Sequence, residues 1–417
     1  MSSDGADAMS EESMEKSALV PRLRFPEFDG TLSALPLAAV ADFASEKISV
    51  EEITSEQYVS TENLLPDFGG MNPAVKLPSV SSVTSFRPND ILVSNIRPYL
   101  RKVWQANICG GASNDVLVVR PTERIGADYL AAILRSDLFI DYVMRGAKGV
   151  KMPRGEISMI QEFPVPCPNA DEQQKIADCL SSLDELITAE TQKLDALKTH
   201  KKGLMQQLFP REGETVPRLR FPEFREAGEW EERRLGEVGN VRMCKRILKE
   251  QTSPQGDIPF YKIGTFGSVP DAYISRELFE NFRNTYPFPK NGAVLISAAG
   301  TIGRTVRYDG ELAYFQDSNI VWLENDEALV ADCFLLYLYQ LVNWAPSVGA
   351  IQRLYNENIL GTQVKFPRSI TEQQKIADCL SSLDELITAQ SQKIDVLKTH
   401  KKGLMQQLFP VLDEATA

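Results

Sequence analysis

The chain has 417 residues, 43% hydrophobic and 24% charged, which is room for two ordinary domains and connecting helices. Its six cysteines (109, 167, 179, 244, 333 and 379) form no CxxC pair, which argues against a zinc site and fits a reduced, cytoplasmic compartment. No apolar run approaches the roughly eighteen residues of a membrane span. The net charge of −12 opposes nucleic-acid binding only if it is evenly spread, and it is not. Residues 1–85 carry five basic and fourteen acidic side chains, residues 86–155 eleven and six, and residues 240–310 ten and six.

In chain order, residues 1–19 form a polar, acidic leader without the apolar stretch of a signal peptide, and they are expected to be disordered. VPRLRFPEF follows at Val20–Phe28 and recurs at Val216–Phe224. The first arm then alternates short apolar runs with Gly/Pro punctuation, which predicts strands such as Asp90–Val93, and it ends in a helix over Tyr129–Tyr142. The second arm has corresponding features at Ala293–Ile296 and Cys333–Trp344. Leu92–Val103 matches Leu295–Val306 in length, aligning Ser94 with Ser297 and Arg101 with Arg304. Ser113-Asn114 then falls against Ser318-Asn319, and Gly149–Gly155 against Gly349–Tyr355.

Each arm is followed by the same 39 residues, Glu172–Pro210 and Glu372–Pro410, which differ only at 190/390, 191/391, 194/394 and 196/396. Ile176, Leu180, Leu183, Ile187, Glu190, Leu194, Leu197, Lys201, Leu204 and Leu208 keep an unbroken 4-3-4-3 spacing, the seam of a coiled coil. The second copy repeats it, with Gln390 and Lys401 at its polar positions. Each helix should be roughly 55 Å long at about 1.5 Å per residue. The first half of each is acidic and the second basic, so the two should pair antiparallel. The register expected from polar matching sets Glu190 against Lys401 and Lys201 against Gln390, so that 183–208 overlaps 383–408. That rod of roughly 39 Å is close to the approximately 34–36 Å of one DNA turn.

The residue types in the arms point to DNA. Arg and Lys neutralise phosphates or read guanine, and Asn and Gln bond adenine. The candidate contacts are Arg97, Arg101, Lys102, Lys148, Lys151 and Arg154 in the first arm. In the second they are Lys245, Arg246, Lys262, Arg304, Gln352 and Arg353. Surface ion pairing would employ the same residues. The glycines of SAAGTIGR fit a tight hairpin better than a phosphate cradle. No catalytic motif is evident; the only histidines, His200 and His400, fall at equivalent helix-surface positions, and no catalytic or metal-binding group is expected.

The duplicated EQQKIADCLSSLDELI…HKKGLMQQLFP helices, SNIRPYL, SAAGTIGRT, GVKMPRG and the lead-ins Phe163–Pro168 and Phe366-Pro367 resemble the specificity subunit of a type I restriction–modification system, over nearly all of residues 20–410. The resemblance implies an α+β fold. Two mixed α/β target-recognition domains (20–168 and 211–368) would be separated by an intramolecular antiparallel coiled coil of two long helices (169–210 and 369–410) with pseudo-twofold symmetry, leaving a tail at 411–417. It also implies a non-catalytic, cytoplasmic subunit that reads an asymmetric bipartite site on double-stranded DNA. Two methyltransferase subunits and restriction–translocase subunits would be its partners, and S-adenosylmethionine, ATP and magnesium would belong to them. A stand-alone DNA-binding regulator is the alternative, and a protein-binding adaptor the third reading; neither a helix-turn-helix nor a ligand domain is evident for the former.

Overall fold

A computed structural model describes residues 20–149, 151–345 and 352–410; the leader, the tail and part of the Gly349–Tyr355 segment lie outside the described residues. The elements that position the site are, in chain order, β1 (Ala41–Phe43), β2 (Ile91–Ser94), β3 (Val103–Gln105), β4 (Val116–Pro121), α1 (Ala127–Leu134), α2 (Asp137–Arg145), α3 (Ala170–Leu208), β5 (Gly239–Met243), β6 (Val294–Ser297), β7 (Thr305–Arg307), β8 (Ile320–Asn325), α4 (Asp332–Leu341) and α5 (Ile370–Leu408). The chain forms two compact units, one holding residues up to Thr191 together with those from Gln392 onward, the other Gln192–Ser391. Both boundaries fall inside the long helices. Neither helix is therefore a module apart from the arms, as the boundaries 168/169 and 368/369 had it.

The units repeat one plan. The first has an antiparallel sheet in the order β1-β4-β2-β3, the second an antiparallel sheet in the order β5-β8-β6-β7. Each has a smaller sheet with one parallel pair: Tyr58–Val59 beside Gly110–Ala112, and Ile258–Tyr261 beside Tyr314–Phe315. The helix expected over Tyr129–Tyr142 is two, because Ser136 ends α1 and caps α2 by accepting from the Phe139 amide at 3.4 Å. α4 stops at Leu341, short of Trp344.

α3 and α5 start where side chains cap them: the Glu172 amide donates to Asn169 at 2.9 Å, and the Glu372 amide to Ser369 at 3.3 Å. Within the first unit, Ile176 and Leu180 of α3 share one core with Leu404, Met405, Leu408 and Phe409 at the end of α5. In the second, Leu204, Met205, Leu208 and Phe209 share a core with Ile376 and Leu380. The helices thus run antiparallel in each unit, but not in the expected register. Lys401 binds Asp184 (2.6 Å) and Lys393 binds Glu190 in the first unit, and Lys201 binds Asp384 (2.6 Å) in the second. These pairs place position 190 opposite 394 and position 201 opposite 383, one heptad from the expected Glu190–Lys401 and Lys201–Gln390 layers.

The physical reason lies in the lysines. Lys201 and Lys401, 15% and 19% exposed, bury most of their length and send their ammonium groups to Asp384 and Asp184, so a lysine layer need not face a polar one. Slipping by a whole heptad preserves the 3.5-residue period and brings the apolar layers at 176, 180, 376 and 380 into play, which the expected register left unpaired.

The repeated segment also seats each arm. The Gln173 side chain, 5% exposed, accepts from the Gly126 amide (2.8 Å) at the start of α1 and donates to the Pro168 carbonyl (2.9 Å). Gln373, fully buried, accepts from the Ala331 amide (2.8 Å) at the start of α4 and donates to the Leu329 and Pro367 carbonyls (2.9 and 2.8 Å). Every one of these partners is backbone, so arms of unlike sequence can occupy the same seat. Beside it, Glu172 and Glu372, each 1% exposed, make bidentate pairs with Arg24 (2.7 and 2.7 Å) and Arg220 (2.7 and 2.8 Å) of the VPRLRFPEF copies. Each copy also covers the end of a long helix: the Leu23 amide donates to Gln407 O at 3.0 Å in the first unit, and Leu219 to Gln207 O at 2.9 Å in the second. The Val20–Phe28 copy thus does for α5 what the Val216–Phe224 copy does for α3.

The register predicts a double-mutant cycle in chemical unfolding. Asp184→Ala and Lys401→Ala should couple by about 0.5–1 kcal/mol, the range of a partly exposed pair, whereas Glu190→Ala and Lys401→Ala should be additive. The reverse pattern would restore the polar-layer register.

Candidate nucleic-acid interface

In the first unit three segments meet at the end of β2. The Ser94 amide donates to Lys102 O (3.0 Å), closing the β2–β3 turn. The Asn95 amide donates to Asp115 O (2.9 Å), the Gly155 amide to Asn95 O (3.1 Å) and the Arg97 amide to Pro153 O (2.8 Å). Arg154 forms β-bridges with both Ile96 and Lys148. This surface displays Arg97, Lys148, Lys151 and Arg154, all exposed. Pro98–Leu100 is a 3-10 turn flanked by Arg97 (φ 52°) and Arg101 (φ 56°), both in the left-handed region.

The second unit builds the same junction from different residues. Ser297 donates its amide to Arg304 O (2.9 Å), Ala298 to Asn319 O (2.7 Å) and Leu354 to Ala298 O (2.8 Å), and Arg353 bridges Ala299. Gly303 (φ +79°) has to be glycine, since a Cβ there would lie 2.4 Å from the Trp344 ring; the SAAGTIGR segment is a hairpin turn.

These bonds define which positions correspond, and they correct the sequence alignment by one residue at three places. Ser94 and Ser297 do match. Past them, Lys102 rather than Arg101 corresponds to Arg304, because the first turn holds one more residue, taken up by its 3-10 segment. Asp115 corresponds to Asn319, and Arg154 to Arg353. The junction therefore carries a basic residue at the turn's exit and an arginine on the crossing segment in both units.

The candidate cations differ in how they are held. Arg101 is turned onto Asp137 (2.8 Å), which also binds Lys402 of α5 (2.9 Å). The Lys102 ammonium donates to Thr61 O at 2.5 Å, and burial, with Arg97 nearby, lowers its pKa. Arg154 pairs with Asp115 at 3.0 Å and Lys148 with Glu156. Lys151 is exposed and makes no ion pair among the described residues. In the second unit Arg304 donates to Phe266 O (2.7 Å) and Arg353 to Ser318 O (2.6 Å), while Gln352 is exposed. Arg246 pairs with Asp317 (3.2 Å) and Lys262 with Asp271 (2.8 Å), and Lys245 lies 5.0 Å from the Tyr286 ring centre. The junction gathers Arg97, Lys102, Lys148, Lys151 and Arg154 in one unit and Arg304, Gln352 and Arg353 in the other. Arg101, Lys245 and Lys262 are engaged elsewhere in their units, and Arg246 reaches the junction through Asp317.

The family model for the type I restriction modification DNA specificity domain matches residues 86–199 and 227–399, which include the junction segments of both units. The chain belongs to this family. It is 42% identical to a putative type I restriction enzyme specificity subunit of Haemophilus influenzae, over 66% of this chain and 69% of that one. It is 25% identical to the putative MjaX specificity subunit of Methanocaldococcus jannaschii, over 71% and 70%. Among solved structures, the S subunit of the type I restriction–modification system of M. genitalium matches 94% of this chain and 100% of its own, with a TM-score of 0.58 at 16% identity. A chain from a structural study of assembly and conformational transition in a type I system matches 91% and 97%, with a TM-score of 0.57 at 19% identity. These likenesses confirm the mixed α/β fold with long helices, and family membership decides for a specificity subunit over a stand-alone regulator.

Residue types alone missed Asp115, which pairs with Arg154 at the junction, and the exposed Tyr99, Met152 and Tyr355, two residues from Arg97, Arg154 and Arg353. A search for cations passes over carboxylates and aromatic rings, and their grouping depends on bridges between distant segments. The left-handed backbone at Arg97 yields a direct test. Arg97→Gly should stay within about 1 kcal/mol of the parent in chemical unfolding, because relief of strain offsets glycine's added chain entropy. Arg97→Val should lose about 1–3 kcal/mol, since a β-branched residue is poorly accommodated there.

Proposed function

We propose that each unit reads one half of an asymmetric, bipartite site on double-stranded DNA, and that the chain directs adenine methylation and restriction by partner subunits. The observation that carries this reading is the junction built twice. Its backbone bonds are alike in both units, with a basic turn exit and a crossing arginine, while the flanking side chains differ. Like scaffolds with unlike side chains suit two half-sites of different sequence. The basic excess of residues 86–155 and 240–310 supports phosphate contact, but each cation pool is partly neutralised by Asp115, Asp137, Glu156, Asp271 and Asp317. Binding by the lone chain should accordingly be weak and strengthen with partners.

In this reading, the near-identical helices offer equivalent docking surfaces to two methyltransferase subunits, with restriction–translocase subunits completing the assembly. S-adenosylmethionine, ATP and magnesium would be held by those partners, and this chain would supply recognition rather than chemistry in the cytoplasm. Among the described residues no helix is long and apolar enough to cross a membrane. A gel-shift assay with and without a methyltransferase partner tests the scheme, since strong binding by the lone chain or no binding in either case would contradict it. Lys148→Ala with Lys151→Ala should weaken binding to all duplexes alike. The double variant should also flatten the slope of log affinity against log salt by about 2, near 0.9 for each phosphate that is no longer neutralised. A weakening confined to one sequence would instead place these lysines on base edges.

A further inference from the structure

We propose that Asp115 and Arg154 act together as the reader of one G·C base pair in the half-site addressed by the first unit; the proposal rests on the functional reading above and specifies its chemistry. Both residues have their backbones pinned. Asp115 O accepts from Asn95, and Arg154 is bridged to Ile96 on one side and Lys148 on the other. Their side chains nevertheless stand in solvent, with 60% of Arg154 and 41% of Asp115 exposed, and they meet at 3.0 Å. A fixed backbone presenting an exposed, mutually oriented pair of polar ends is how a recognition group is preorganised.

Stability gives little reason for the pair, because an exposed ion pair contributes at most about 1 kcal/mol. Affinity gives less, since a carboxylate on a phosphate-facing surface repels the backbone. Its chemistry does fit a base edge. In the major groove guanine presents two neighbouring acceptors, N7 and O6, and the cytosine paired with it presents the N4 amino donor. The guanidinium fork of Arg154 matches the two acceptors, and the adjacent Asp115 carboxylate accepts from N4. In an A·T pair the amino donor lies between two acceptors, and fork and carboxylate lose that match. The second unit supplies an internal contrast. Arg353 occupies the place of Arg154, but Asn319 stands where Asp115 does, and Arg353 is turned onto the Ser318 carbonyl. The same scaffold position thus carries a different donor–acceptor pattern in each unit, as an asymmetric site requires.

The test is long-read mapping of methylated adenines in cells expressing the full chain with its cognate methyltransferase. Asp115→Asn should relax one G·C position in one half-site roughly tenfold and leave the other half-site unchanged. Arg154→Lys, which keeps the charge and loses the fork, should relax the same position. An unchanged motif in both variants, relaxation at an A·T position, relaxation in both half-sites, or a uniform loss of methylation across all sites would each overturn the proposal. If the parent chain methylates an asymmetric bipartite site in those cases, the functional reading stands without it; if the parent chain directs no adenine methylation, that reading falls and the proposal with it.

Discussion

The largest core of each unit is built on the packing of one long helix's first half against the closing stretch of the other. In the first unit Ile176 and Leu180 meet Leu404, Leu408 and Phe409, and in the second Leu204, Leu208 and Phe209 meet Ile376 and Leu380. The same cores continue into the arms through Tyr129 and Phe163, and through Trp230 and Phe334. The largest core of each unit therefore joins helix to arm, while separate clusters within the arms, around Phe86 and Leu92 in the first and Phe260 and Tyr314 in the second, exclude the helices.

That shared core explains how a nearly unchanged helix can serve two unlike arms. Gln173 and Gln373 bond only to backbone atoms, and Arg24–Glu172 and Arg220–Glu372 join one repeated segment to another. A seat that recognises the main chain places no demand on arm side chains, which remain available for function. At the junction, Asp115 and Asn319 hold equivalent places on a common scaffold, and Lys102 and Arg304 leave turns of different length.

Much of this was legible in the sequence. Heptad spacing and charge polarity indicated two long antiparallel helices, and the short strands fall at Ile91–Ser94 and Val294–Ser297, within a residue of the expected ones. The register was not legible, because a slip of a whole heptad leaves the periodicity intact and the lysines could choose between a seam partner and a flanking aspartate. The arm alignment failed for a related reason: the extra residue in the 95–101 turn is absorbed by a 3-10 segment that no propensity marks. Ser136 divided one expected helix into two through a local cap. As for the site, seven of the eleven proposed cations, with Gln352, fall at the junctions. Arg101, Lys245, Lys262 and Arg246 show that residue type alone does not say which carboxylate, ring or carbonyl a cation will find.

The central claim is that each unit is completed by a piece of both helices. Hydrogen exchange on a chain ending at Ser391 tests it most directly, because that chain lacks the α5 stretch assigned to the first unit and keeps all of the second. Protection should collapse across β1–β4, α1 and α2 and persist across β5–β8 and α4. Retained protection throughout the first unit would contradict the account, since that arm would then fold without the helix end on which its core is built.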